Sequence, residues 1–210
     1  GGEFRFVGKG PQEFSCGDGF AVPTMRIDNA DGVAKSSGSG PIIVTKSLDL
    51  DNGVLTFDSG LILMESGASI VRRRVSARLS APLSVRSFVD VAYLVEKEGG
   101  KIVTGYELPA SPATVRKLEI RIANASPDSS SITLGADVRL SEKLLLQAGI
   151  LDLGDFNLTV AAGGTIEMNG GKIQSDGSGK IAVTSYSLIY GKSTTITTTS
   201  QEFQGGQDIS

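Results

Sequence analysis

Apolar residues recur in pairs along the second half of the chain, with one residue between the members of each pair. Successive pairs begin seven or eight residues apart, and turns rich in glycine separate them. The pairs are Leu144/Leu146, Leu151/Leu153, Leu158/Val160, Ile166/Met168, Ile181/Val183 and Leu188/Tyr190, with Ile173 and Ile196 standing alone in the same rhythm. Because alternation at a spacing of two is the period of a β-strand, each unit predicts a short strand followed by a tight turn.

The units repeat in groups of three. Leu151 and Ile173 are 22 residues apart, and Leu158 and Ile181 are 23 apart. A helical heptad is excluded because glycine recurs in nearly every unit, at a cost of about 1 kcal/mol each in a helix interior. We therefore predict an all-β fold, a right-handed parallel β-helix with about 22 residues per coil. Repeated β-sandwiches are the alternative, and they predict antiparallel pairing between adjacent units.

A longer repeat overlies the short one. Residues 47–57 match residues 143–153 at an offset of 96, with Leu, Gly and Leu at corresponding places. We therefore predict one β-solenoid module, 1–210, built from two copies of a unit of about 95 residues. The copies are about 4–100 and about 101–199, and 203–210 resembles the start of a third.

The rhythm breaks between residues 72 and 110. An arginine-rich stretch at 72–86 opens this segment, followed by the alternating residues Val89, Val91, Tyr93 and Val95. A glycine-rich turn at 96–100 then precedes a second short apolar run. This arrangement predicts a hairpin near 86–106, inserted into the solenoid or bordering it.

Composition limits the function. The chain has 210 residues, 40% of them apolar, and contains no apolar run long enough to span a membrane. Its net charge of −3 argues against nucleic acid as a main partner, since phosphate binding requires a basic excess. Histidine is absent, which removes the commonest general base and metal ligand. We expect no catalytic residue, no metal and no cofactor.

Two groups of charged residues are candidates for ligand binding. Arg72, Arg73 and Arg74 are suited to an anionic glycan or an acidic protein surface, although a solvated edge explains them more simply. Asp152 and Asp155 present carboxylates that suit Ca²⁺ or acid/base chemistry, although a solvated outer face also explains them.

Several segments resemble the repeat units of large Bacteroidetes cell-surface proteins, an adhesin-like group associated with type IX secretion. The segments are 103–109, 115–124, 132–140 and 144–153. The resemblance implies a secreted or surface-displayed stalk or adhesive module, associated with the outer membrane. It supplies no catalytic motif, and the arginine-rich stretch 72–86 has no counterpart in it.

We therefore expect a non-enzymatic extracellular module, an adhesin or stalk that binds a polysaccharide or a host or cell-surface protein. The alternative is a carbohydrate-active β-helix, either a polysaccharide lyase or a glycan-binding domain. Parallel β-helices often act on polysaccharides, but that argument rests on the fold alone.

Overall fold

The computed structural model describes residues 2–38, 40–96, 99–110, 114–122, 130–183 and 185–191. Short β-strands joined by turns make up this part of the chain. The strands are β1 Glu3–Val7, β2 Gln12–Phe14, β3 Phe20–Asp28, β4 Val33–Lys35, β5 Ile42–Asn52, β6 Val54–Thr56, β7 Ile62–Met64, β8 Ser69–Arg72, β9 Arg78–Leu79, β10 Ser84–Val85, β11 Phe88–Val95, β12 Lys101–Val103, β13 Thr114–Ile122, β14 Ser131–Thr133, β15 Val138–Ala148, β16 Ile150–Asp152, β17 Leu158–Val160, β18 Gly164–Met168, β19 Lys172–Gln174, β20 Ile181–Val183 and β21 Tyr186–Tyr190.

These strands wind into a right-handed parallel β-helix of about eight turns in the described residues, as the sequence predicts. A 13-stranded sheet runs the length of the stack, in the order β1-β3-β5-β8-β11-β13-β15-β17-β20 with four further strands joined to it. Two four-stranded sheets, β2-β4-β6-β9 and β12-β14-β16-β19, complete the coils. The pairings between described strands are parallel, so the β-sandwich alternative is wrong.

The predicted stacking is confirmed at individual residues. Leu151 of β16 lies opposite Ile173 of β19, and Leu158 of β17 lies opposite Ile181 of β20. These four side chains are fully buried in the core, and so is that of Leu153. The last predicted pair differs, since Leu188 is half-buried and Tyr190 is exposed. Ile196 and the segment 203–210 lie outside the described residues.

The core is one continuous column of aliphatic side chains. Each coil places Leu, Ile, Val or Met directly above the equivalent residue of the coil below, as in Leu48 over Ile70 and Leu144 over Ile166. Burial of one such side chain stabilises a fold by about 1.5–3 kcal/mol. The stack is therefore held by many similar contributions, each made between neighbouring coils.

The predicted hairpin near 86–106 is wrong. β11 lies within the long sheet, parallel to β8 on one side and β13 on the other, and β12 begins a short sheet by pairing with β14. Alternation along residues 89–95 is the same in a parallel strand as in a hairpin strand. Gly99 and Gly100 lie between β11 of the long sheet and β12 of a short sheet.

Glycines shape some of the corners between faces. Gly53 and Gly149 follow β5 and β15, two strands of 11 residues each, and both have positive φ, +78° and +93°. At Gly53 an added Cβ would lie 1.9 Å from the carbonyl oxygen of Asn29 in the adjacent coil. Both the backbone conformation and the close approach of the preceding coil therefore require glycine at position 53.

No helix of sufficient length and hydropathy to cross a lipid bilayer occurs in the part of the chain that the structure describes.

Candidate functional site

The two short sheets end at an interruption between β9 and β12. β8 and β11 pair in the long sheet, so β9 and β12, which follow them, belong to consecutive coils. Yet β9 pairs with β6 and β12 pairs with β14, and each ends its sheet. The space between them is a cleft of about 680 Å³, whose walls include Ser76, Arg78, Leu79, Lys101, Val103 and Tyr106. We call it the β9–β12 cleft.

A buried network closes the floor of this cleft. Arg72, at the end of β8, forms an ion pair through Nη1 with Oε1 of Glu107. Its Nε donates to the carbonyl of Arg74 at 3.2 Å, and Nη2 donates to the carbonyl of Val75 at 2.6 Å. Tyr93 donates its hydroxyl to the same Glu107 oxygen at 3.2 Å. Arg72 therefore connects the turn after β8 to the segment after β12.

The network lies away from solvent. Arg72 is 5% exposed, while Tyr93 and Glu107 are fully buried. Burial, together with the negative charge of Glu107, raises the pKa of Tyr93 well above its ordinary 10.0. Oε2 of Glu107 has no hydrogen-bond partner among the described residues, so Oε1 alone receives the Arg72, Tyr93 and Gly105 donors. These contacts give Arg72 a structural role, in which it holds the floor of the cleft together.

The rim of the cleft is basic and aromatic. Arg78 and Lys101 are exposed, and neither has an ion-pair partner among the described residues. Tyr106 is 49% exposed. It also lines a neighbouring pocket of about 370 Å³ whose walls include Pro82, Leu83, Leu108 and Pro109. We call this the apolar pocket; Tyr106 lines both it and the β9–β12 cleft.

Arg73 and Arg74 lie in a third, smaller concavity of about 190 Å³, which we call the charged cleft. Its walls are Arg26, Asp28, Asp51, Arg73, Arg74, Leu94 and Glu96. Asp51 is only 7% exposed, and it forms ion pairs with Arg26 and, at 3.1 Å, with Arg73. The structure therefore divides the arginine triplet between two places, with Arg72 buried and its two neighbours in the charged cleft.

Asp152 and Asp155 lie elsewhere, at the turn after β16. Asp152 is 8% exposed and accepts from the backbone N–H of Gly154 at 2.9 Å. Asp155 accepts from the backbone N–H of Ser178, in the next coil, at 3.1 Å. Both carboxylates therefore hold turns in register. Across the described ranges, no three His, Cys, Asp or Glu side chains are grouped so that they could hold a metal ion.

Sequence reasoning named Arg73 and Arg74, together with Arg72, as ligand-binding candidates, but it did not name Lys101, Tyr106 or Glu107. The available signal was indirect, because all three lie where the apolar rhythm is interrupted. Nothing in their local pattern connects Glu107 with Arg72, which is 35 residues away.

The fold defines the class of this protein as a parallel β-helix. Comparisons with models of protein families, with curated proteins and with solved structures found no match. Any assignment of function therefore depends on the chemistry of the clefts and on the stack that carries them.

Proposed function

We propose that this chain is a non-enzymatic, extracellular β-solenoid module that projects from a cell surface as a stalk and carries an adhesive site. The continuous stack of coils is the observation that carries the proposal. About eight coils at the spacing of neighbouring strands give a rod of roughly 40 Å. Such a rod separates its two ends by a fixed distance, which is the mechanical task of a stalk.

Ion pairs on the outside of the rod support this role, because they join successive coils. Arg5 pairs with Asp28 at 3.2 Å, Arg116 with Asp90 at 2.5 Å, and Lys143 with Glu167 at 2.5 Å. One exposed pair contributes about 0–1 kcal/mol. Their joint effect is to favour one register between coils, since a slip would separate the paired charges.

The resemblance to Bacteroidetes adhesin-like repeat proteins supports placement of the module at the cell surface, associated with the outer membrane. Antibodies raised against the folded module test this placement on cells of the source organism. We expect staining of intact cells, abolished by brief protease treatment of those cells. Staining that requires permeabilisation would contradict a surface location.

A carbohydrate-active β-helix is the second candidate, because the charged cleft combines carboxylates and arginines in one concavity. Two of its carboxylates already have cationic partners, Asp51 with Arg26 and Asp28 with Arg5. This pairing favours a structural cluster over acid/base chemistry. A glycan array with calcium and then with chelator, followed by a depolymerisation assay on each bound polysaccharide, distinguishes the candidates. We expect no depolymerisation, and cleavage that is lost in Arg74→Ala would favour the enzyme.

A further inference from the structure

We propose that the cleft beside Tyr106 binds a peptide segment of a partner protein in which an apolar residue lies close to an acidic one. The apolar side chain would enter the apolar pocket, and the carboxylate would bind Arg78 and Lys101. This inference rests on the proposed adhesive function and specifies the chemistry of the partner.

The apolar pocket favours a hydrocarbon side chain. Its walls include Pro82, Leu83, Leu108 and Pro109, and proline has no backbone N–H to donate. The Thr104 hydroxyl oxygen accepts from the backbone N–H of Gly135 at 2.8 Å, which occupies one of the few polar groups present. A sugar ring would leave its hydroxyl groups poorly paired here, which costs free energy.

The rim supplies charge complementary to a carboxylate. Arg78 and Lys101 are exposed without an ion-pair partner in the described ranges, and both line the β9–β12 cleft. Unpaired cations attract an acidic partner during encounter and orient it once bound. Tyr106 is half exposed and lines both the cleft and the apolar pocket, so it is suited to be the central contact, since tyrosine is enriched among residues that dominate interfaces.

The cleft also offers backbone hydrogen bonds to an extended chain. β9 and β12 each have one strand edge without a β-strand partner in the described residues, and both line the cleft. Peptides often bind along such edges through main-chain hydrogen bonds, while pockets select their side chains. The Arg72–Glu107 contact holds the segment that carries Tyr106, so the site is largely ordered before binding.

The test uses an array of Gly/Ser-based peptides that carry Leu, Ile or Phe close to Asp or Glu. Each peptide has counterparts with Lys replacing the acid and with Ala replacing the apolar residue. We expect the whole chain to bind peptides that contain both an apolar and an acidic residue. We expect it not to bind the counterparts in which either residue is replaced. Titration calorimetry on a binding peptide then gives the affinity.

Variants assign that binding to the cleft. We expect Arg78→Glu/Lys101→Glu to weaken it about tenfold or more, and Tyr106→Ser to weaken it as well. Lys46→Glu/Arg139→Glu is the matched control, because it reverses two exposed cations outside the cleft and makes the same change in net charge. The control is expected to bind like wild type, and thermal melting verifies that every variant is folded.

Three results would overturn the proposal. One is an array without preference for acidic–apolar peptides, and another is equal weakening in the two double variants. The third is that the chain binds oligogalacturonate or heparan sulfate but no peptide, and that Arg78→Glu/Lys101→Glu abolishes this binding. The ligand would then be an acidic glycan. None of these results alters the staining of intact cells, so this inference and the proposed surface function fail separately.

Discussion

At the scale of single residues, loss of one member of the buried ion pair Arg72–Glu107 should destabilise the fold more than loss of one member of an exposed pair. Removing one member of a buried ion pair typically costs about 3–5 kcal/mol, because the remaining charge has no partner. We expect Arg72→Met to lower the free energy of unfolding by about that amount, measured by denaturant titration. Arg73→Met is the control, since its side chain is 39% exposed, and it is expected to cost about 1 kcal/mol or less. Equal losses in the two variants would contradict the structural role of Arg72.

The pKa of Tyr93 predicts a dependence of stability on alkaline pH. Because burial raises this pKa above its ordinary 10.0, the unfolded chain loses the Tyr93 proton first. The contribution to stability is complete below pH 10 and is lost as pH rises from there towards the pKa in the folded state. Tyr93→Phe has no hydroxyl proton to lose, so its stability does not fall in this way as pH rises. Its deficit relative to wild type, about 1 kcal/mol at neutral pH from the missing hydrogen bond, should shrink above about pH 10. A deficit that is constant from about pH 8 to pH 11 would contradict the assignment.

Leu153 tests the inward assignment made from sequence. Its side chain is fully buried, so Leu153→Asp would place an unpaired charge in the core. We expect Leu153→Asp to lower the free energy of unfolding by about 4 kcal/mol or more, seen as a large drop in melting temperature or as failure to fold. Thr159→Asp is the control, because Thr159 is half-buried and its strand neighbour is Arg139. Similar melting of Leu153→Asp and wild type would show that Leu153 does not face the core.

The sequence was informative at residues whose role follows from period alone. Leu151, Leu153 and Ile173 could be placed inward because alternation and spacing decide their positions. The role of Arg72 could not be predicted, because a charged residue usually points to solvent and its partner lies in another coil. Arg78 and Tyr106 could not be recognised as parts of one cleft for the same reason, since their proximity depends on how coils stack.

At the scale of elements, strands were predictable and their connections were less so. The pattern at residues 89–95 established a strand, but an alternating strand has the same sequence signature in parallel and antiparallel pairing. The glycines that follow it were interpreted as a hairpin turn. In the structure these glycines lie at a corner of a coil. The strands that pair with β11 are β8 of the preceding coil and β13 of the following coil, so β11 does not pair with the strand that comes directly after the glycines.

Corner glycines give a prediction at this scale. Gly53 and Gly60 both have positive φ, +78° and +85°, so alanine costs about 1–2 kcal/mol at either from backbone strain. Only Gly53 also meets the preceding coil, where a Cβ would lie 1.9 Å from the Asn29 carbonyl oxygen. We therefore expect Gly53→Ala to be clearly more destabilising than Gly60→Ala in denaturant titration. Equal effects would mean that the coils are not in close contact at this corner.

At the scale of the whole molecule, the account depends on coils that stack in sequence order. The spacing of 22 residues predicted this stack, because the same unit of each coil repeats after three short strands. Neither the interruption between β9 and β12 nor the cleft it creates could be predicted, since both depend on a coil whose residues break the repeat. The proposed surface role combines the regular part of the molecule, which gives a rod, with the irregular part, which gives a site.

The most direct test of this account is a set of distances along the rod. Thr24, Ser69 and Ser187 lie in one row across the long sheet, as the strand registers show. Spin labels on cysteines at Ser187 and Ser69, and in a second sample at Ser187 and Thr24, are placed in a Cys16→Ser background. Since Thr24 is two coils beyond Ser69, pulsed electron paramagnetic resonance should give a distance about 10 Å longer in the second sample. Equal distances, or a shorter one to Thr24, would contradict the stacked solenoid on which the proposed function rests.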